Sequence, residues 1–200
     1  MSKSKNSLRI AVDIGGTFTD MACFDESTGE ISFGKALSTH GELVTGIQNT
    51  LDGAGVDLSN GYLFLHGSTI AINTLLERNG AKTALLITEG FRDIYEIGRV
   101  NRPDAYNLFF SKHEPLVPRS LRYEVSERLR ADGSLHKPLD EEAVRALARE
   151  LKAKHIEAVA VLLLHSYRNP DHERRVKAIL QEEIPGAFVT ASHELSQEYR

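Results

Sequence analysis

The sequence predicts an α/β fold: a mixed sheet with helices, and a smaller α/β portion inserted into it or appended to it. Three observations carry this expectation. Apolar and polar residues alternate over three consecutive stretches near the amino end, which is the period of strands. Helical and extended patterns then take turns from residue 42 to residue 88. After an irregular middle, the same alternation returns at residue 140 and holds to residue 191.

Residues 8–14, 17–25 and 30–37 read as three consecutive strands. In the first, β-branched Ile10, Val12 and Ile14 share one face, and Asp25-Glu26-Ser27-Thr28-Gly29 forms the second turn. Residues 42–55 read as a helix with Val44, Ile47 and Leu51 on one face, loosened at its end by Gly53 and Gly55. Tyr62 to Leu65 is a short strand. Residues 68–79 are a helix expected to turn Ile72, Leu75 and Leu76 inward and to stop at Asn79-Gly80. Thr83 to Thr88 is a buried strand. Three strands, then helix, strand, helix, strand, is the order of the ribonuclease-H-like lobe of actin, sugar kinases and acetate kinases, used here as fold-level analogy.

The pattern weakens from Gly90 to Leu139. Residues 98–118 show no clear period, and residues 121–137 read as a hairpin around Ala131-Asp132-Gly133. Asp140 caps a helix with Glu141 and Glu142 in its first turn and Val144, Leu147, Ala148 and Leu151 on one face. Ala158 to Leu164 is a continuous apolar strand, as in a sheet covered on both sides. Asn169-Pro170 opens the next helix with proline at its first position. Val176, Ile179 and Leu180 turn inward, Pro185-Gly186 ends that helix, and Ala187 to Ala191 is the last strand. The expected division is a first-lobe core over 8–90, an irregular loop and hairpin region over 91–139, and an α/β segment over 140–200 that completes or extends the lobe.

Bulk properties exclude several function classes. A net charge of −4 offers nothing to nucleic acid or to an anionic membrane surface. A single cysteine, Cys23, rules out an internal disulfide and fits a reducing compartment; within a predicted strand it reads as a small buried hydrophobe. Residues 1–7 are polar and lack the apolar core of a signal peptide. The run from Ala158 to Leu164 is too short to span a bilayer. These features predict a cytoplasmic protein.

The chemistry concentrates in Asp13-Ile14-Gly15-Gly16-Thr17-Phe18-Thr19-Asp20. A buried strand runs into a Gly-Gly turn flanked by an acid and two hydroxyls. Without a Cβ, Gly15 and Gly16 let a ligand approach the backbone. Thr17 and Thr19 add hydroxyls beside the free amides of the turn. Asp13 suits a hydrated Mg²⁺, which prefers one or two carboxylates plus phosphate oxygens. Together Gly15 to Thr19 form a phosphate cradle on a strand–turn–strand hairpin, which is more than a plain hairpin turn requires. Gly29 to Ala36 resembles a P-loop but lacks the final hydroxyl and alternates like a strand. His172-Glu173 and His193-Glu194 each begin a zinc-protease motif and fail at its second histidine.

His66-Gly67-Ser68-Thr69 follows a short strand and opens a helix, which gathers amides, hydroxyls and an imidazole at a helix N-terminus, with Asn73 one turn on. The same residues serve equally as an N-cap with a structural histidine. Arg92, Arg99 and Arg102 in a loop-rich stretch can hold carboxylate or phosphate in a bidentate manner, or simply form a solvated face.

Five stretches then occur in order: Asp13 to Asp20, His66 to Thr69, Gly90-Phe91-Arg92-Asp93, Arg99 to Pro103, and His165-Ser166-Tyr167-Arg168-Asn169-Pro170. As a set, over about residues 8–200, they resemble the N-terminal region of the hydantoinase/oxoprolinase family, which includes ATP-dependent N-methylhydantoinase A, 5-oxoprolinase and the related subunits of acetone and acetophenone carboxylases. The resemblance implies an actin-like ATPase fold, ATP and Mg²⁺ as cofactors, and phosphoryl transfer to the carbonyl or enol oxygen of the substrate, followed by hydrolytic opening of a cyclic amide or carboxylation of a ketone. It implies Asp13 as the Mg²⁺-side acid, reached through water, and Gly15 to Thr19 as the cradle. His66 and Arg92 are its further catalytic candidates; Ser68, Thr69, Asn73, Arg99 and Arg102 are its substrate-side ones. Family members are much longer, so the chain is expected to be a piece of a larger polypeptide, inactive alone, completed by its carboxyl-terminal remainder and a second hydantoinase-type subunit. The alternatives are the ATP-handling subunit of a ketone carboxylase, a non-catalytic module that keeps the fold, and a sugar kinase, which explains residues 13–20 but not the later motifs.

Overall fold

The computed structural model describes residues 6–39, 41–97, 106–110 and 114–198. The chain divides into two compact units, Met1–Gly80 and Ala81–Arg200. The first holds strands β1 (Leu8–Ile14), β2 (Phe18–Asp25), β3 (Ile31–Leu37) and β4 (Gly61–Ser68) and helices α1 (Leu43–Gly53) and α2 (Ile70–Glu77). Its mixed sheet has the order β3-β2-β1-β4. β1 to β3 are antiparallel neighbours and β4 runs parallel to β1.

Strand alternation puts Ile10, Val12, Ile14, Met21 and Cys23 into one core with Leu51 of α1. Burial pushes the Cys23 thiol above its usual range, with the Ser32 hydroxyl opposing the effect, so it packs rather than reacts. Gly34 lets α1 close on β3, since a Cβ there would lie 2.6 Å from the Thr50 carbonyl oxygen. Gly34→Ala is therefore expected to destabilise the first unit by about 2 kcal/mol, the usual cost of overpacking a tight contact, read as a lower denaturant midpoint. An unchanged midpoint would mean that α1 does not seat there.

The other face of this sheet is open. Phe33 is 75% exposed, and Ile31, Leu37 and Leu65 also stand in solvent. One expectation fails here. Ile72, Leu75 and Leu76 of α2 do not turn inward; they are 58%, 56% and 78% exposed. The reason is the sheet's edge. β4 is the last strand of this sheet, because Thr83–Thr88 pairs elsewhere, and the helical stripe has no further layer to cover.

The second unit comprises β5 (Thr83–Thr88), β6 (Arg122–Val125), β7 (Arg128–Leu129), β8 (Leu135–Lys137), α3 (Glu141–Ala153), β9 (Ala158–Leu162), α4 (Asp171–Glu183), β10 (Phe188–Ala191) and the short α5 (Ser192–Leu195). Its main sheet is parallel throughout, in the order β10-β9-β5-β6. Buried Ala84, Leu86, Val159 and Val161 pack with Val144, Ala148 and Leu151 of α3 and Val176, Ile179 and Leu180 of α4. The Asp140 carboxylate accepts from the Ala143 amide at 3.0 Å and caps α3.

Thus Thr83–Thr88 belongs to the second sheet, and the division falls after Gly80 rather than near residue 90. Residues 121–137 are not one hairpin: Arg122–Val125 pairs in parallel with β5, and only β7 and β8 form a hairpin. Pro170 takes the N-cap of α4, one residue before the expected first turn. No helix among the described residues is long and apolar enough to cross a membrane.

Candidate functional site

The glycine turn closes with the Gly15 amide donating to the Phe18 carbonyl at 2.9 Å. A Cβ on Gly15 would lie 2.9 Å from that carbonyl oxygen, so the tightness of the turn depends on the missing side chain. The next two amides, of Gly16 and Thr17, donate to no acceptor among the described residues. The Thr17 side chain is exposed beside them. Two adjacent amides without an acceptor among the described residues, with a hydroxyl on the same turn, are a donor set suited to an anion.

The residues around the turn are set by strand register. Asp13 lies opposite Asp20 on β2 and opposite Gly67 on β4; Ile14 lies opposite Ser68. The Thr69 amide donates to the Ile14 carbonyl at 3.0 Å, which ties the start of α2 to the end of β1. A Cβ on Gly16 would lie 2.8 Å from Asn73 Nδ2, and one on Gly67 would lie 3.2 Å from Asp13 Oδ1. The fold therefore joins the two glycine-bearing motifs, about fifty residues apart in sequence, at the carboxyl ends of β1 and β4.

Asp13 is exposed and has no hydrogen bond or ion pair among the described residues, whereas Asp20 pairs with Lys35 at 2.8 Å. Asp13 is thus the free acid at this edge, at the rim of a depression of about 520 Å³ shared with Ala11, Ala22 and Phe33. A single carboxylate without a partner among the described residues suits an ion that keeps its waters and phosphate oxygens. No cluster of three or more potential metal-ligating acids, histidines or cysteines occurs among the described residues. A larger concavity, of about 650 Å³ and lined by Leu8, Asp25 and Val56, touches none of the candidate residues.

Thr19 does not face the cradle. It is fully buried, and its Oγ1 lies 3.1 Å from the hydroxyl of Ser38, because β2 alternation turns residue 19 to the α1 side. Ser38, which sequence reasoning missed, braces the turn: its hydroxyl donates to the Gly15 carbonyl at 2.8 Å and its amide to the Thr17 carbonyl at 2.9 Å. The only signal was a hydroxyl just past a strand. Phe18 is half-exposed beneath the Lys35 ammonium, 4.6 Å from its ring centre.

His66 is exposed on β4, and the Ser68 hydroxyl accepts from the Ile70 amide at 3.4 Å. Thr69 takes the N-cap of α2 without a side-chain capping bond. Arg92 belongs to the second unit. It donates from Nη2 to the Arg119 carbonyl at 3.0 Å, and its buried Nε has no partner among the described residues. The neighbouring Asp93 is gripped by Arg119 at 2.7 and 3.0 Å, which holds its carboxyl below the usual range. Arg99 and Arg102 lie outside the described residues.

Comparison with known proteins follows the same outline. A family model described as the hydantoinase/oxoprolinase N-terminal region matches residues 9–184. The caprolactamase α subunit of Pseudomonas jessenii is 35% identical over 98% of the chain, which covers 30% of that subunit; the crystal structure of this ATP-dependent caprolactamase aligns with a TM-score of 0.77 at 34% identity, over 96% of the chain and 29% of the solved one. A nucleotide-free structure of acetone carboxylase aligns with a TM-score of 0.81 at 31% identity, over 97% of the chain and 30% of the solved one. The 5-oxoprolinase of Saccharomyces cerevisiae is 31% identical over 96% of the chain and 18% of its own length. The chain spans less than a third of each of these relatives.

Proposed function

The chain belongs to the hydantoinase/oxoprolinase family, whose N-terminal region it matches, and from that premise we propose that it is the amino-terminal, ATP-handling part of an ATP-dependent cyclic-amide hydrolase of the N-methylhydantoinase/5-oxoprolinase type. The observation that carries this reading is the pair of amides at Gly16 and Thr17 with no acceptor among the described residues, just past the strand that carries Asp13, whose carboxylate has no partner among them either. Unit 1, with strand order β3-β2-β1-β4, is read as the first four strands of a ribonuclease-H-like lobe of the actin type.

An unstrained cyclic amide is a poor electrophile. Transfer of the γ-phosphoryl group to its carbonyl oxygen turns that oxygen into part of a leaving group. Water then adds to the activated carbon, the ring C–N bond breaks with the nitrogen leaving as a protonated amine, and a second water hydrolyses the resulting acyl phosphate to the carboxylate and inorganic phosphate. The chain's own part is positional: Gly16 and Thr17 hold phosphate oxygens through N–H groups, and Ser38 keeps the turn closed. Asp13 would hold Mg²⁺ through water, and the ion would neutralise charge on the transferring phosphoryl group. His66 and Asn73 lie on the segment that adjoins the turn and are read as substrate-side groups, with Ser68 and Thr69; Arg92, Arg99 and Arg102 are further candidates on the strength of the family resemblance alone.

The open apolar face of the first sheet and the bare stripe on α2 support a longer polypeptide, and a second hydantoinase-type subunit, as the rest of the enzyme. A buried lone cysteine fits a cytoplasmic setting. The acetone carboxylase alignment supports a second reading, the ATP-handling subunit of a ketone carboxylase.

Phosphate release from ATP by the full-length protein with its partner subunit separates these readings. Stimulation by N-methylhydantoin, 5-oxoproline or a lactam is the expected result. Stimulation only by acetone or acetophenone with bicarbonate would move the protein to the carboxylases, and no stimulation by any of them would leave a non-catalytic module. The 200-residue piece alone is expected to release phosphate at background, and a clear turnover from it would overturn the need for a second lobe.

A further inference from the structure

Of the two hydroxyls in the Gly15–Thr19 motif, that of Thr19 cannot meet a ligand. Thr19 is fully buried, and α1 closes over it: a Cβ on Gly46 would stand 3.2 Å from Thr19 Oγ1. Valine would fill the same space with no polar atom to satisfy, so shape alone does not account for a threonine here. Its partner does. Thr19 Oγ1 lies 3.1 Å from Ser38 Oγ, and Ser38 Oγ donates to the Gly15 carbonyl at 2.8 Å.

The direction of the protons follows. A hydroxyl carries one hydrogen. That of Ser38 goes to the Gly15 carbonyl, so between the two side chains Thr19 is the donor and Ser38 the acceptor. Ser38 is itself held by its amide, which donates to the Thr17 carbonyl at 2.9 Å. The side-chain bonds therefore run one way, from Thr19 through Ser38 to the Gly15 carbonyl.

That carbonyl shares a peptide group with the Gly16 amide. The group is planar and trans, so its C=O and N–H point in opposite directions. Ser38 draws the carbonyl to its own side, and the Gly16 N–H is thereby turned away from it. This amide has no acceptor among the described residues. A peptide group between two glycines is the least restrained by side chains, so its tilt is set by whatever bonds it, and here that is Ser38. Hydrogen bonds in a one-way chain also polarise one another, which makes the Gly16 N–H a stronger donor.

On the reading of this turn as a phosphate cradle, we propose that Thr19 and Ser38 are positioning residues, a buried relay that aims the Gly16 amide at a phosphate oxygen. They act on the nucleotide through the Gly15–Gly16 peptide group and not by contact.

The test is substrate-stimulated phosphate release from ATP by the full-length protein with its partner subunit, with Thr19→Val, Thr19→Ser, Ser38→Ala and Asp13→Asn side by side. Valine keeps the shape of residue 19 and loses the hydroxyl; serine keeps the hydroxyl and loses the methyl. Thr19→Val and Ser38→Ala are each expected to lower kcat/KM for ATP about tenfold, less than the about 10²–10³ of losing a donor outright. Thr19→Ser is expected to recover at least about half of the wild-type value. A packing role reverses that order, with valine active and serine impaired, and would overturn the relay. So would Ser38→Ala within about twofold of wild type, a result that decides even if Thr19→Val fails to fold, because residue 38 is only half-buried. Asp13→Asn separates this failure from that of the underlying reading. Release lost in Asp13→Asn but normal in Thr19→Val and Ser38→Ala removes the relay and leaves the cradle; normal release in all three removes both.

Discussion

Asp13→Asn in the full-length protein is expected to lower substrate-stimulated phosphate release by two to three orders of magnitude, the usual effect of removing one preorganised electrostatic contact from a transition state (about 10²–10³). The fold should not notice. Asp13 is exposed and makes no bond among the described residues that the amide would lose, so unfolding free energy should stay within about 0.5 kcal/mol of wild type. The pairing of these two results is what gives the experiment its force. Lost turnover with an unchanged denaturation curve places Asp13 in the phosphate chemistry. Turnover close to wild type would remove Asp13 from the mechanism and, with it, the reading of the hairpin as a cradle. Gly15→Ala bears on the same turn from the side of shape: a Cβ 2.9 Å from the Phe18 carbonyl must open the turn, so activity and stability should fall together.

The second large effect is structural. Glu173→Ala is expected to destabilise the second unit by about 3–5 kcal/mol, the range for removing one partner from a buried, charged hydrogen-bond network. The carboxylate is fully buried, and its loss strands the amides of Leu163 and His193, the Ser192 hydroxyl and the His193 ring. Hydrogen exchange at the Leu163 amide reads the loss locally, and chemical denaturation reads it globally. A loss under about 1 kcal/mol, with Leu163 still protected, would mean that the network is not what holds the β9–α4 connection. Glu173→Gln should fall between the two, because the amide keeps one acceptor oxygen but sets its own N–H₂ against donors.

Both residues show how unevenly the site was legible. Asp13 stood out because its neighbours are unusual in a local way: two glycines and two threonines after a β-branched strand. Glu173 stood beside His172 as a fragment of a failed metal motif, and its role comes from residues ten to twenty positions away, which no local pattern announces. Thr19 looked like Thr17 in the sequence. Only the direction of β2 against α1 turned one to the core and left the other at the turn. Ser38 had no local signal beyond its hydroxyl, yet it holds the Gly15 carbonyl.

The sequence by itself determined most of the elements: the strands and helices from Leu8 to Thr88 and from Glu141 to Ala191 lie close to their expected places, and the glycine turn sits at the expected strand end. These follow from short-range rules, namely alternation, helical periodicity, caps and the conformational freedom of glycine. The tertiary structure alone decided which strands share a sheet. It sent Thr83–Thr88 to the second unit, left the α2 stripe without a layer to cover, and brought Gly67 and Asn73 to the Gly15–Gly16 turn. Pairing is a contest between distant segments for the same hydrogen bonds and the same buried area, and a buried apolar strand such as Thr83–Thr88 satisfies either sheet until its neighbours β6 and β9 claim it.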